Sequence, residues 1–391
     1  MKRRYFDNAA TSFPKPPGVS DAVRNYIDNI GASAGRGAYR EAVESGRLLE
    51  RARGLVRRLF GCARGDHVVF TLNGSDALNL ALKSLLRPGD HVVTTWMDHN
   101  SVLRPLSALQ TQRGVEWTAV QADRETTLVS VDDVAAAIRA HTRLVALSHA
   151  SNVTGALQPV EKIAALCRER GVLLLADAAQ SAGHVPIDIS RTPIDLLATP
   201  GHKGLLGPLG TGVLVIRAGV EQYMQTWREG GTGSQSEQPV QPEQMPDKLE
   251  AGSHNAVGIA GLVAALEWLL SRGVAALREH ELGLIERITA RLEQCESLRW
   301  FGPREPAARV GVFSVRIAGL EPAELSAVLE EQFGILTRSG LHCAPFAHKT
   351  IGTDRYGGTT RLSLGPFLDE ADVDAALDAV DQVSRDVGQF A

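Results

Sequence analysis

Between residues 38 and 217 the chain alternates between two hydrophobic periods, and this alternation constrains its fold more than any other feature. Short β-branched runs lie at His67–Thr71, His91–Thr95, Val115–Val120, Arg143–Ser148 and Val172–Ala176. Helical patterns separate them near 75–86, 101–113, 130–140 and 159–170. An earlier stripe of Leu48, Ala52, Leu55, Val56 and Leu59 also has helical spacing. Strands that alternate with helices of this length predict a largely parallel sheet covered on both faces. Ile194–Ala198 and Gly212–Arg217 add two more strands with little helix between them.

Beyond residue 255 the pattern changes. Helical segments near 256–271 and 273–295 lead to a strand at 309–317, a helix at 321–333, a strand at 360–364 and a last helix from Asp369. That order reads as an α+β unit. The Gly/Gln/Ser/Pro-rich stretch Gly230–Pro246 reads as a long loop near the join. With 391 residues, 44% of them hydrophobic, the chain has enough apolar surface for two domains.

Several function classes are disfavoured. A net charge of −4 without a basic domain argues against a nucleic-acid surface. Apolar stretches such as Gly261–Leu270 are too short to span a bilayer and are interrupted by Glu267. The first residues contain no apolar segment of the secretory type. Cys62, Cys167, Cys295 and Cys343 form no C-x-x-C pair, so neither a metal site nor a disulfide framework is expected, and a reducing cytoplasm suits them.

Ligands of parallel α/β sheets sit beyond the carboxyl ends of strands, where this chain places unusual polar residues. GVLLLADAAQ ends in Asp177 and Gln180. Such an acid either caps a helix or pairs with a protonated ring nitrogen. IDLLATPGHKG puts Lys203 between His202 and Gly204, in a glycine-dense turn suited to a lysine with a lowered pKa that forms a Schiff base; the alternative is a solvated loop lysine. Asn73-Gly74-Ser75 opens a helix and offers N–H groups and a hydroxyl to an anion, or is simply a cap. His99 follows the HVVTT strand and could stack on a ring and move protons, and Asn152 follows RLVALSH as a hydrogen-bond donor or a turn former. Arg338-Ser339-Gly340-Leu341-His342-Cys343-Ala344-Pro345 is a Gly/Pro loop carrying a cysteine with no apolar periodicity around it, so a thiolate could form there.

In this order and spacing, Asn73-Gly74-Ser75, Asp98-His99, Ser151-Asn152-Val153, Asp177-Ala178-Ala179-Gln180 and Gly201-His202-Lys203 resemble the class V aminotransferase family. The likeness runs from Asp7-Asn8-Ala9-Ala10-Thr11 to Arg361-Leu362-Ser363-Leu364. The cysteine loop resembles the one that carries the nucleophile of cysteine desulfurases, and the chain is also similar to selenocysteine lyases. The resemblance implies pyridoxal 5'-phosphate (PLP) and its fold type I. That fold is α/β, with a large domain (15–255) built on a mainly parallel seven-stranded sheet flanked by helices, and a smaller α+β domain (1–14 and 256–391).

Residue by residue, it implies that Lys203 carries PLP and shuttles the Cα proton. Asp177 would face the ring nitrogen, Gln180 and Asn152 the phenolic side, and His99 the ring face. Gly74, Ser75 and His202 would hold the phosphate. Ser253 would reach the phosphate of a neighbouring subunit, so a homodimer is implied. Arg361 would clamp the substrate carboxylate, with Asn8 near the same group and Arg36 at the site's border. Cys343 would take sulfur from L-cysteine as a persulfide, release L-alanine and pass the sulfur to an acceptor protein. The alternatives are L-selenocysteine as substrate, a class V transaminase or other lyase in which Cys343 is incidental, and an inactive relative. Two departures stand out. Pro200 occupies a position where many relatives have a Ser or Thr hydroxyl, which Thr199 or backbone groups would have to replace. Leu341 occupies a position where the most similar desulfurases often carry a second histidine.

Overall fold

A computed structural model of the chain describes residues 2–34, 37–235 and 237–388. A short strand β1 (Arg4–Tyr5) and helices α1 (Val19–Asn25) and α2 (Arg40–Phe60) precede the alternating region. There follow β2 (His67–Thr71), α3 (Gly74–Leu85), β3 (His91–Thr95), α4 (Asn100–Arg113), β4 (Glu116–Val120), α5 (Val131–Ala137), β5 (Thr142–Ser148), α6 (Val160–Arg170), β6 (Leu173–Asp177), β7 (Leu196–Pro200) and β8 (Gly212–Ile216). The seven strands β2–β8 form one sheet in the order β2-β8-β7-β6-β5-β3-β4. β8 alone runs against its neighbours, β2 and β7. The carboxyl ends of β2, β3, β5, β6 and β7 therefore open on one edge.

Both sheet faces are apolar, as expected of strands covered twice. One face packs Val68, Val93, Leu174 and Val215 against α2 and α6. The other packs Val69, Val92, Leu144 and Leu214 against α3 and α4. Local chemistry sets the helix starts: the Asn73 side chain accepts from the Asp76 N–H at 2.9 Å, and Ser130 caps α5 in the same way.

The remainder contains α7 (Ala256–Arg272), α8 (Val274–Glu293), β9 (Leu298–Trp300), β10 (Val312–Ile317), α9 (Pro322–Phe333), β11 (Ile335–Leu336), β12 (Arg338–Gly340), α10 (Pro345–Ile351), β13 (Thr359–Ser363) and α11 (Glu370–Gly388). An antiparallel sheet in the order β12-β13-β10-β9 is backed by α8, α9 and α11, and β1 pairs in parallel with β11. Phe6 inserts into this second core. The expected boundary at residue 255 falls ahead of α7, yet α7 belongs to the first core. Its Leu262, Val263, Leu266 and Leu269 pack with Leu49, Leu55 and Val56 of α2. The core changes instead at Gly273, where α7 and α8 meet at 77°. Among the described residues no single helix is long and apolar enough to cross a membrane.

Candidate active site

The aligned strand ends enclose a cavity of about 520 Å³, a size that suits a cofactor and a small substrate. Its walls include Gly74 and Ser75 after β2, His99 and Ser101 after β3, and Ser148 and Asn152 at the end of β5. Asp177 and Gln180 line it from β6, and Pro200, His202 and Lys203 from β7. The turn bearing Lys203 must be glycine-rich because two backbones touch there. A Cβ on Gly204 would lie 2.0 Å from the Ala182 carbonyl oxygen.

Burial lowers the Lys203 pKa to about 8. The Asp177 carboxylate partly opposes that shift, while Arg361 and Arg338 add to it. Burial raises Asp177 to about 6, against the Ala179 N–H it accepts at 2.9 Å and the nearby Lys203 charge. Ser148, its cross-strand partner on β5, hydrogen-bonds the same carboxylate.

His99 is the N-cap of α4. Its Nδ1 accepts from the Ser101 N–H at 3.0 Å, so in the neutral ring the proton sits on Nε2. Burial, followed by the Lys203 charge, lowers its pKa to about 4 and keeps the ring neutral near pH 7. The Ser101 hydroxyl lies 2.9 Å from the same Nδ1 and 2.6 Å from Ser75 Oγ. The preceding residue, Asp98, is fully buried and accepts from Thr94, Thr95 and the Ser148 N–H, which fixes the strand end that presents His99.

Cys343 comes from the other unit. It lies in the four-residue connection between β12 and α10 and is exposed. His342 and Cys343 have φ of 48° and 60°, a left-handed pair that costs non-glycine residues energy. Two contacts hold the loop to the large sheet: Asn152 Nδ2 donates to the His342 carbonyl at 2.6 Å, and the Asn100 N–H donates to the Cys343 carbonyl at 2.9 Å. A thiolate at Cys343 lies near enough to Lys203 and Arg361 for its charge to act on both. Arg361, on β13, is 1% exposed. One of its terminal nitrogens donates to the Asn152 carbonyl at 3.0 Å and the other pairs with Asp7 at 2.8 Å. Its Nε is buried without a partner.

Lys203, Asp177, His99, Gly74, Ser75, Gln180, His202 and Asn152 thus share one cavity, and Cys343 and Arg361 are electrostatically coupled to its lysine. The structure adds partners to the sequence reading. Asn152 lines the cavity and donates from its amide to the His342 carbonyl at 2.6 Å. The Asn8 amide donates to the carbonyls of Tyr5 and Ser363 and accepts from the Phe13 N–H, stitching the N-terminal segment to β13. Thr199 is buried off the cavity, since alternation along β7 turns Pro200 inward, and its hydroxyl faces the Ala178 and Pro200 carbonyls. Ser253 is exposed and absent from the cavity wall. Arg36 lies outside the described residues. Asp7, Ser101 and Ser148 were missed; Asp7 stood next to Asn8 in a motif already noted, whereas Ser101 and Ser148 carried no pattern beyond their nearness to a strand end.

An α/β sheet that places a depressed lysine beside a buried acid at its strand ends defines an enzyme of the Schiff-base type. Residues 4–376 match the family described as Aminotransferase class-V. The chain is 35% identical to a probable cysteine desulfurase of Methanothermobacter thermautotrophicus, covering 92% of this chain and 89% of that one. It is 32% identical to a probable cysteine desulfurase of Pyrococcus abyssi, covering 97% and 94%. An apo cysteine desulfurase from Thermococcus onnurineus superposes with a TM-score of 0.90 at 32% identity over 97% and 94% of the two chains. The cysteine desulfurase CsdA from Escherichia coli, solved as an S-sulfonic acid, gives 0.84 at 27% over the same shares. The chain belongs to the class-V aminotransferase family.

That family works through PLP, and the site fits it. The cavity has the volume, an amine and a carboxylate face into it, and His202 Nδ1 is a buried polar atom with no partner in the protein.

Proposed function

We propose that the protein is a PLP-dependent cysteine desulfurase, converting L-cysteine to L-alanine and holding the sulfur on Cys343 as a persulfide. The observation that carries this reading is the pinning of the Cys343 loop by Asn100 and by Asn152, which itself lines the cavity that contains Lys203. Gly74, Ser75 and His202 would hold the phosphate, Asp177 the ring nitrogen, His99 and Gln180 the ring, and Lys203 the aldehyde carbon. When bound, PLP supplies a carbonyl for the amino group and an electron sink for charge at Cα.

The rest follows from the chain's own groups. Arg361 Nε, buried and unpaired, is available to the substrate carboxylate, a charge-assisted contact in a dry site. Lys203, with a pKa near 8, can both take and return a proton at Cα. The Cys343 thiolate attacks the substrate sulfur: an S–S bond forms, the Cβ–S bond breaks, and its electron pair goes to the carbon fragment. His99, with its proton on Nε2, is a donor beside that fragment. Lost sulfur becomes the terminal atom of the Cys343 persulfide, and protonated carbon becomes the methyl group of alanine.

The exposure of Cys343 supports direct hand-over to an acceptor protein, with no long arm needed. A homodimer is supported by two exposed leucines, Leu72 and Leu209, which rim the cavity, and by Ser253 next to that rim. Four unpaired cysteines suit a cytoplasmic setting. Incubation of the holoenzyme with L-cysteine followed by intact-mass and peptide analysis tests the reading. One added sulfur on Cys343, with stoichiometric alanine, is expected; unmodified Cys343 together with α-keto acid turnover would assign transamination instead. Cys343→Ala assayed on both substrates separates cysteine from selenocysteine chemistry.

A further inference from the structure

The cavity wall facing α3 contains a hydroxyl that no motif assigned. Gly74 at the start of α3 lies so close to Pro200 that an added Cβ would be 2.9 Å from the proline Cδ. Pro200 therefore closes one side of the helix start with a ring that has neither an N–H nor a hydroxyl. Thr199, the nearest alternative on that strand, is turned away. Ser101, on α4, lines the same cavity, its Oγ 2.6 Å from Ser75 Oγ. The one in-plane lone pair of His99 Nδ1 is already met by the Ser101 backbone N–H at 3.0 Å. The Ser101 hydroxyl proton is thus free to point to the Ser75 side, where the first N–H groups of the twelve-residue helix α3 also converge. His202 Nδ1, buried and without a partner, lines the same cavity.

We propose that Ser101 is a phosphate-binding residue, forming with Ser75 a two-hydroxyl seat that replaces the donor Pro200 cannot offer. The inference rests on the PLP reading above and adds a residue to it. Two hydroxyls 2.6 Å apart share one hydrogen bond when nothing is bound, and both can rotate to donate when a dianion arrives. His99 keeps its tautomer throughout, because that is set by the Ser101 backbone and not by its side chain.

The test compares PLP with pyridoxal, which has the same ring and aldehyde but no phosphate. Apoenzyme of the wild type, Ser101→Ala, Ser101→Thr and Ser101→Cys is titrated with each by equilibrium dialysis, a readout independent of turnover. A hydrogen bond to a charged group predicts that Ser101→Ala binds PLP about tenfold or more weakly. Pyridoxal binding should stay within about twofold, because lost phosphate contacts leave it untouched. Ser101→Thr should retain PLP affinity, and Ser101→Cys, a poor donor of similar size, should repeat the alanine result even if Ser101→Ala is insoluble. Adding Pro200→Ser to Ser101→Ala should recover part of the loss. Unchanged PLP affinity in Ser101→Ala and Ser101→Cys, or equal weakening for both ligands, overturns the proposal. Wild-type apoenzyme that binds neither ligand would overturn the cofactor reading itself, a result distinct from either of these.

Discussion

The amine and the thiol of this site are built in opposite ways. Lys203 follows a strand in the middle of the large sheet, and the cavity around it is walled by other strand ends of that sheet: Asp177 on the adjacent strand, Ser148 on the next and His99 further along. Its surroundings are dry enough to lower its pKa to about 8. Cys343 sits on a short strained connection of the small unit, and among the described residues its sulfur makes no hydrogen bond; the loop is held by its carbonyls and by the His342 ring, not by the thiol. The difference follows from the tasks. An amine that must lose and regain protons needs a fixed, desolvated environment. A sulfur that must reach a substrate and then an acceptor needs an exposed side chain on a located backbone.

Three substitutions test that contrast. Lys203→Ala removes the group at the centre of the rigid half. Turnover should fall at least about a thousandfold, and the absorbance of lysine-bound PLP should disappear. Cys343→Ser should be narrower in effect: sulfur release from L-cysteine drops to background in a sulfide assay, while PLP absorbance and thermal stability match the wild type. If Cys343→Ser also lost PLP, the two halves would not be separable as described. Asn152→Ala acts on the link between them. With the His342 carbonyl released, the thiol loses its placement, and kcat should fall by up to about a hundredfold, the cost of misplacing a reacting group by an ångström or so. A fully active Asn152→Ala would show that the Asn100 contact alone locates the loop.

The same contrast explains what could be read from the chain before its fold was known. Strand ends follow from hydrophobic period, so the runs His67–Thr71, His91–Thr95, Arg143–Ser148, Val172–Ala176 and Ile194–Ala198 already brought Ser75, His99, Asn152, Asp177 and Lys203 to one edge. Cys343 was different. No periodicity carries an irregular loop, and its assignment came from resemblance to a known motif. Side-chain partners were legible least. Asn152 and Asn8 each donate to a backbone carbonyl far along the chain, His342 and Ser363, and no local pattern marks such a contact. α7 was misassigned to the second unit for a related reason. It is apolar on most of its surface, so its pattern does not say which core receives it.

The smallest expected effect concerns the pH at which the rigid half becomes reactive. Only the free amine of Lys203 can combine with an aldehyde. Its pKa is lowered from 10.5 to about 8, so the free-amine fraction is already a tenth at pH 7 and rises toward unity above pH 8. An unburied lysine would stay protonated through that range. The rate at which apoenzyme combines with PLP should therefore climb with pH up to about 8 and then level off, measured by stopped-flow absorbance against buffer pH. Asp177 carries a negative charge that raises the Lys203 pKa, against the larger effect of burial. Removing that charge with Asp177→Asn should move the plateau to lower pH. A plateau that moved upward, or a rate still climbing beyond pH 9, would mean that the amine is solvated and that the two halves of the site are less different than their surroundings indicate.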